Sequence, residues 1–214
     1  MTFSATNLLL VVVLLLNLFF LATSRIRALI QAAALQGVVL GVLPVLIHGR
    51  IHWNTALIAI ATIVLKGSVI PGMLRRALRE AQIKREVEPL IGLVPTMLLG
   101  ALGTLLSIGF AEGLPLVPEH RGLLIVPASI STVLTGFLLL TTRFKAITQA
   151  IGYLVLENGI FIFGLLLLEA MPFLVEIGVL LDLFVGIFVV SIILHHINRE
   201  FASLDTRRLA SLRE

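Results

Sequence analysis

The 214-residue chain contains no cysteine, a single tryptophan, a single tyrosine, and only 13% charged residues. Without cysteine it holds no disulfide, no thiolate metal site and no iron–sulfur cluster of its own. Soluble domains carry about 25% charge, so there is too little here to cover a water-facing surface. A nucleic-acid reading would need a solvated basic face with interleaved aromatics, and the sequence has none. It also lacks an HExxH zinc motif, a phosphate-cradling glycine loop and a Ser/His/Asp set with lumenal exposure. His48 and His52 flank Arg50, but two histidines alone do not make a metal site.

What the chain has in excess is hydrocarbon. Hydrophobic residues make up 58% of it and its mean hydropathy is +1.10, which points to lipid as the solvent. A bilayer core of about 30 Å takes roughly 20 apolar residues per helix. Seven such runs are present, at about 4–23, 26–48, 54–73, 90–110, 122–142, 146–168 and 172–197. The expected fold is therefore all-α: a polytopic membrane protein of seven transmembrane helices. The first run has no basic leader, and Arg25 and Arg27 follow it, so it reads as a span rather than a removed signal peptide.

The basic residues are distributed unevenly. With the N-terminus outside, thirteen lysines and arginines fall in the inside segments, against Arg50 and Arg121 in the outside loops. This predicts an outside N-terminus and a cytoplasmic C-terminus. Segment 73–88, with Leu74, Leu78, Ile83 and Val87 spaced among charges, predicts an amphipathic cytoplasmic helix for lipid or a partner subunit. Pro44, Pro71, Pro95 and Pro127 mark possible kinks. "GVVLG", from Gly37 to Gly41, has the small-xxx-small spacing that lets membrane helices approach closely.

A charge near the bilayer centre costs roughly 2.5–3.5 kcal/mol or more on insertion scales, which makes four residues conspicuous: Lys66, Glu157, Glu176 and Asp182. Glu157 lies in the middle of "GYLVLENGIFIFG", and helical periodicity puts Gln149, Tyr153, Glu157 and Gly164 on one face. A desolvated acid beside polar groups that order water suits a proton relay; a neutral glutamic acid tying two helices together is the alternative. Lys66, in "VLKGSVIPG", either pairs with an acid or titrates, or else snorkels to the cytoplasmic headgroups. Asp182 is flanked by Gly178 and Gly186, and His196 falls about four turns further on, as a cytoplasmic exit or as half of an interfacial His195–His196 pair. Glu176 lies one turn inside the outer boundary, where it relays protons or reaches water.

"GYLVLENGIFIFG" followed by "DLFVGIFVVSIILHHINRE" resembles the last two helices of the K subunit of complex I and of the C subunit of Mrp-type cation antiporters. The closer resemblance is to component E of hydrogenase 4, the membrane subunit of formate hydrogenlyase-type complexes. "LKGSVIPGMLRR" resembles the basic, proline-containing end of a family helix. The resemblance implies an N-terminal four-helix part at 1–110, a K-like three-helix part at 111–200 and a cytoplasmic tail at 201–214. It implies lateral proton transfer through two acids on consecutive helices, here Glu157 and Asp182, the second an aspartate where complex I has glutamate. Implied partners are antiporter-like subunits, a quinone- or hydrogenase-proximal membrane subunit, and a cytoplasmic redox arm holding iron–sulfur clusters and a metal active site. The expectation is thus a non-redox subunit of a complex I-related oxidoreductase in a bacterial or archaeal inner membrane. A Mrp-type antiporter subunit, a stand-alone small transporter and a purely structural scaffold are the alternatives.

Overall fold

A computed structural model describes residues 5–48, 53–80, 90–115, 122–167 and 171, and positions 177–178, 181, 184–188 and 191–192. Every element among the described residues is helical: α1 (Ala5–Ala22), α2 (Ile26–His48), α3 (Trp53–Val64), a π-helical turn (Leu65–Val69), α4 (Ile70–Glu80), α5 (Leu93–Glu112), α6 (Ile125–Thr142) and α7 (Ala146–Gly164), which ends in a 3₁₀ turn (Leu165–Leu167). Five of them, α1, α2, α5, α6 and α7, are long and apolar enough to cross a membrane. The outward side chains of α5 include Leu98, Leu102, Leu105 and Phe110, each more than half exposed. An outer surface this apolar is that of a membrane protein.

The third hydrophobic run is one helical path from 53 to 80, broken in character by the π turn. There the N–H of Ile70 bonds the carbonyl of Leu65, five residues back. The sequence supplies a reason: Pro71 has no N–H for the next rung, and Gly67 loosens the turn before it. Pro95 and Pro127 occupy the first turns of α5 and α6, where a missing N–H costs no intrahelical bond. Segment 73–88 begins as the continuation of α4. Its Leu74 and Leu78 are buried in the bundle, and Arg75, Arg76 and Arg79 face outward; Ile83 and Val87 lie outside the described residues.

Glycines set the closest helix contacts. On α7, a Cβ added at Gly159 would lie 2.6 Å from the backbone nitrogen of Val133, and one added at Gly152 would lie 2.9 Å from Leu140. On α6, one added at Gly136 would lie 2.5 Å from the backbone nitrogen of Leu156. Contacts that climb α7 as they descend α6 make the pair antiparallel, at backbone-to-backbone distance. The "GVVLG" pattern has the same use. Gly37 sits against the backbone of Lys66, and Gly41 against Ile63 and the carbonyl of Ala59.

Two apolar cores result. One gathers Phe20, Leu29, Ile30, Leu74, Ile151 and Val155 with their neighbours. The other gathers Leu10, Val13, Leu40, Leu43, Ile125 and Ile162. Each of α1, α2, α6 and α7 contributes to both cores, and the buried residues lying between the two contributions are polar or glycine. Every described lysine and arginine except Lys66 belongs to the α1–α2 turn, the first turn of α2, α4 or the α6–α7 corner, at the end of the bundle beyond the first core. There the buried Arg143 donates from Nη2 to the carbonyl of Leu21 at 3.2 Å, closing the last turn of α1. Burial pushes its guanidinium below the ordinary arginine pKa.

Candidate functional site

The polar layer between the two cores is centred on an ion pair. Lys66 Nζ lies 2.9 Å from Glu157 Oε1, with side chains only 4% and 2% exposed. The π turn carries Lys66 and the middle of α7 carries Glu157, so two sequence-distant charges meet inside the bundle. The ammonium also lies 5.5 Å from the centre of the Phe161 ring, close enough for cation–π attraction. On the other side of the carboxylate is the seventh hydrophobic run. A Cβ added at Gly186 would come within 3.0 Å of Glu157 Oε2, so only glycine lets that helix lie this close to the acid.

From Lys66 a hydrogen-bonded chain crosses the bundle. Nζ donates to Asn158 Oδ1 at 3.1 Å, and Asn158 Nδ2 donates to Gln36 Oε1 at 3.0 Å. Gln36 Nε2 donates to Asn17 Oδ1 at 3.1 Å, and Asn17 Nδ2 to Thr132 Oγ1 at 2.8 Å. The hydroxyl of Thr132 then donates to the carbonyl of Ala128. All six side chains of this layer are buried, and they come from α1, α2, the π turn, α6 and α7. The direction follows from chemistry: an ammonium only donates, so Asn158 must offer it oxygen, and each amide in turn passes its nitrogen onward. Head-to-tail amides polarise one another and point their negative ends at the cation. The arrangement solvates a charged lysine without bulk water.

Sequence reasoning placed Lys66 and Glu157 among the buried charges, and of its three readings for the lysine (pairing, titrating, snorkelling) the structure shows the pairing with an acid. Of the other residues on the anticipated face of Glu157, Gln149 bonds elsewhere. Gln149 Nε2 donates to the carbonyl of Arg143 at 3.0 Å, at the α6–α7 corner about two turns from the acid. Tyr153 is half-buried on α7. Glu176, Asp182, His195 and His196 lie outside the described residues, as do Arg50, His52 and the 201–214 tail. The reading missed Asn17, Gln36, Thr132 and Asn158. The signal available was an amide well inside each of three apolar helices, Asn17, Gln36 and Asn158, which in lipid must find a partner. Among the described residues, no group of three histidines, acids or cysteines could hold a metal ion.

No family model matches the chain, and no solved structure matches it. Over 194 residues it is 35% identical to the uncharacterized protein Rv0085 of Mycobacterium tuberculosis, an overlap of 88% of this chain and 87% of the relative. By identity and coverage together, the chain belongs to the family of this mycobacterial protein.

Proposed function

We propose that the chain is a non-redox, proton-transferring subunit of a membrane complex related to complex I, of the hydrogenase 4 or formate hydrogenlyase type. The observation that carries this reading is the contact of Lys66 with Glu157. A carboxylate and an ammonium at hydrogen-bond distance, buried among apolar helices, are groups between which a proton moves without a large rearrangement. Asp182, one helical turn before Gly186 in the sequence, is the second carboxylate of the route, with Glu176 and His196 towards its two ends. The resemblance of residues 152–164 and 182–200 to K-type helices supports the same assignment. It supplies the partners too: antiporter-like and quinone- or hydrogenase-proximal membrane subunits, with a cytoplasmic arm that holds the iron–sulfur clusters and metal centre. The orientation in this proposal is seven spans with the N-terminus outside and the C-terminus cytoplasmic, in a bacterial or archaeal inner membrane. The gathering of the described basic residues at one end of the bundle favours it.

The test is Glu157→Gln in the assembled complex, with proton uptake read in inverted membrane vesicles and assembly read by co-purification in mild detergent. Proton transfer lost from an intact complex is the expected result; transfer unchanged in an intact complex overturns the proposal. Co-purified iron–sulfur subunits fit the hydrogenase type, whereas antiporter subunits without a redox arm fit the Mrp type. A second reading, a structural scaffold, is favoured by the amide chain, since amides do not titrate and this one joins four long helices. Under that reading Glu157→Gln lowers the yield of complex and leaves its proton transfer intact.

A further inference from the structure

A small cavity opens beside the ion pair, lined by Ala33, Lys66, Ile70, Pro71, Leu154 and Asn158, with a volume of about 10 Å³. That is close to the minimum for one water molecule, which stays in a protein interior when polar groups hold it. Here an ammonium-bearing and an amide side chain supply them, while the other four walls are apolar. The placement is one-sided. Ala33, Ile70 and Leu154 all belong to the apolar core on the basic side of the polar layer. Pro71 lies at the start of α4, which carries Arg75, Arg76 and Arg79. The opposite core, with Val39 and Leu40 one turn beyond Gln36 on α2, contributes nothing to the lining.

We infer that this cavity is a water site through which Lys66 exchanges its proton with the basic end of the bundle, and with that end only. The inference deepens the proton-transfer reading and rests on it for its purpose, though the water site stands on the cavity alone. In the step envisaged, the ammonium gives one proton to the water, which carries it towards the basic end. The neutral amine left behind takes its replacement from Glu157 after the carboxylate has been protonated from the Gly186 side. Charge and protons balance with no other reactant. The amide chain is not a competing exit, because it ends on the carbonyl of Ala128.

The absence of native cysteine allows a direct test with single-cysteine variants of the full chain in membrane vesicles. Ala33→Cys and Leu154→Cys place a thiol on the cavity wall, and Val39→Cys places one at similar burial in the other core. Silver ion, small enough to follow water, is added at the basic end; the protein is then denatured and free thiol is read with a maleimide. The expected result is loss of maleimide labelling at positions 33 and 154 and full labelling at 39. Full labelling at all three means a dry cavity, and loss at all three means water on both sides; either overturns the inference. Leu154→Cys serves if Ala33→Cys fails to accumulate. The two claims fail separately: a dry cavity with Glu157→Gln still blocking proton transfer removes the water site alone, while protected thiols with unaffected transfer remove the proton-transfer reading alone.

Discussion

Lys66 Nζ donates to Asn158 Oδ1 at 3.1 Å, across 92 residues of sequence, and this bond fixes the direction of every hydrogen bond beyond it. If the donor-only lysine is removed, the amides of Asn158, Gln36 and Asn17 lose the group that orients them. The polar layer therefore answers as a unit to changes at either end, and its members differ in what their loss leaves behind.

Consider the ion pair first. Removing one partner of a buried pair leaves the other charge uncompensated and costs about 3–5 kcal/mol, whereas replacing both with apolar groups of similar volume is often neutral. Lys66→Met and Glu157→Leu should each lower the unfolding midpoint of the detergent-solubilised chain strongly. The double variant should recover most of the loss, a coupling that a double-mutant cycle measures directly. Additive losses in the double variant would mean that the two charges are not each other's main partners.

Much of this architecture was legible in the sequence. Hydrophobic runs located the long helices, because in lipid each span must satisfy its own backbone and so declares its length. "GVVLG" announced a close helix approach without naming its partner, which the structure gives as the third run, and Lys66 and Glu157 stood out by their cost in hydrocarbon. The π turn was not legible, since proline and glycine near one another signal a disturbed helix without saying which kind. The amide chain was hidden for a different reason. Asn17, Gln36 and Asn158 are individually unremarkable, and their connection depends on the rotation and height of three helices, which periodicity within one helix does not give. Gln149 illustrates the converse: sharing a face with Glu157 did not place it beside the acid, because the end of a helix has carbonyls of its own to satisfy.

The far end of the amide chain gives a second expectation. Thr132→Val keeps the shape of the side chain and removes the acceptor that Asn17 Nδ2 uses. A buried donor left without its partner costs about 1–3 kcal/mol. Thr141, an exposed residue of the same helix whose hydroxyl bonds only its own backbone, should tolerate valine with little change. Equal effects of the two substitutions on thermal stability would show that the chain does not extend to α6 in the working protein.

Glycine at 186 carries the last prediction. A methyl group there would meet the carboxylate of Glu157 at 3.0 to 3.2 Å, tighter than ordinary van der Waals contact, so the seventh run must shift away or the acid must turn. Overpacking of this kind costs about 1–3 kcal/mol. At Gly178, by contrast, an added Cβ meets nothing within 4 Å, and Gly→Ala in open helical space stabilises by about 0.4–1 kcal/mol through the unfolded chain. Gly178→Ala should therefore raise the unfolding midpoint slightly and Gly186→Ala should lower it. If the loss at 186 comes through the carboxylate, Glu157→Ala should relieve it, because the shorter side chain vacates the space that the new methyl needs. A Gly186→Ala penalty that persists in the Glu157→Ala background would place the clash elsewhere on α7 and remove Glu157 from the contact between the last two helices.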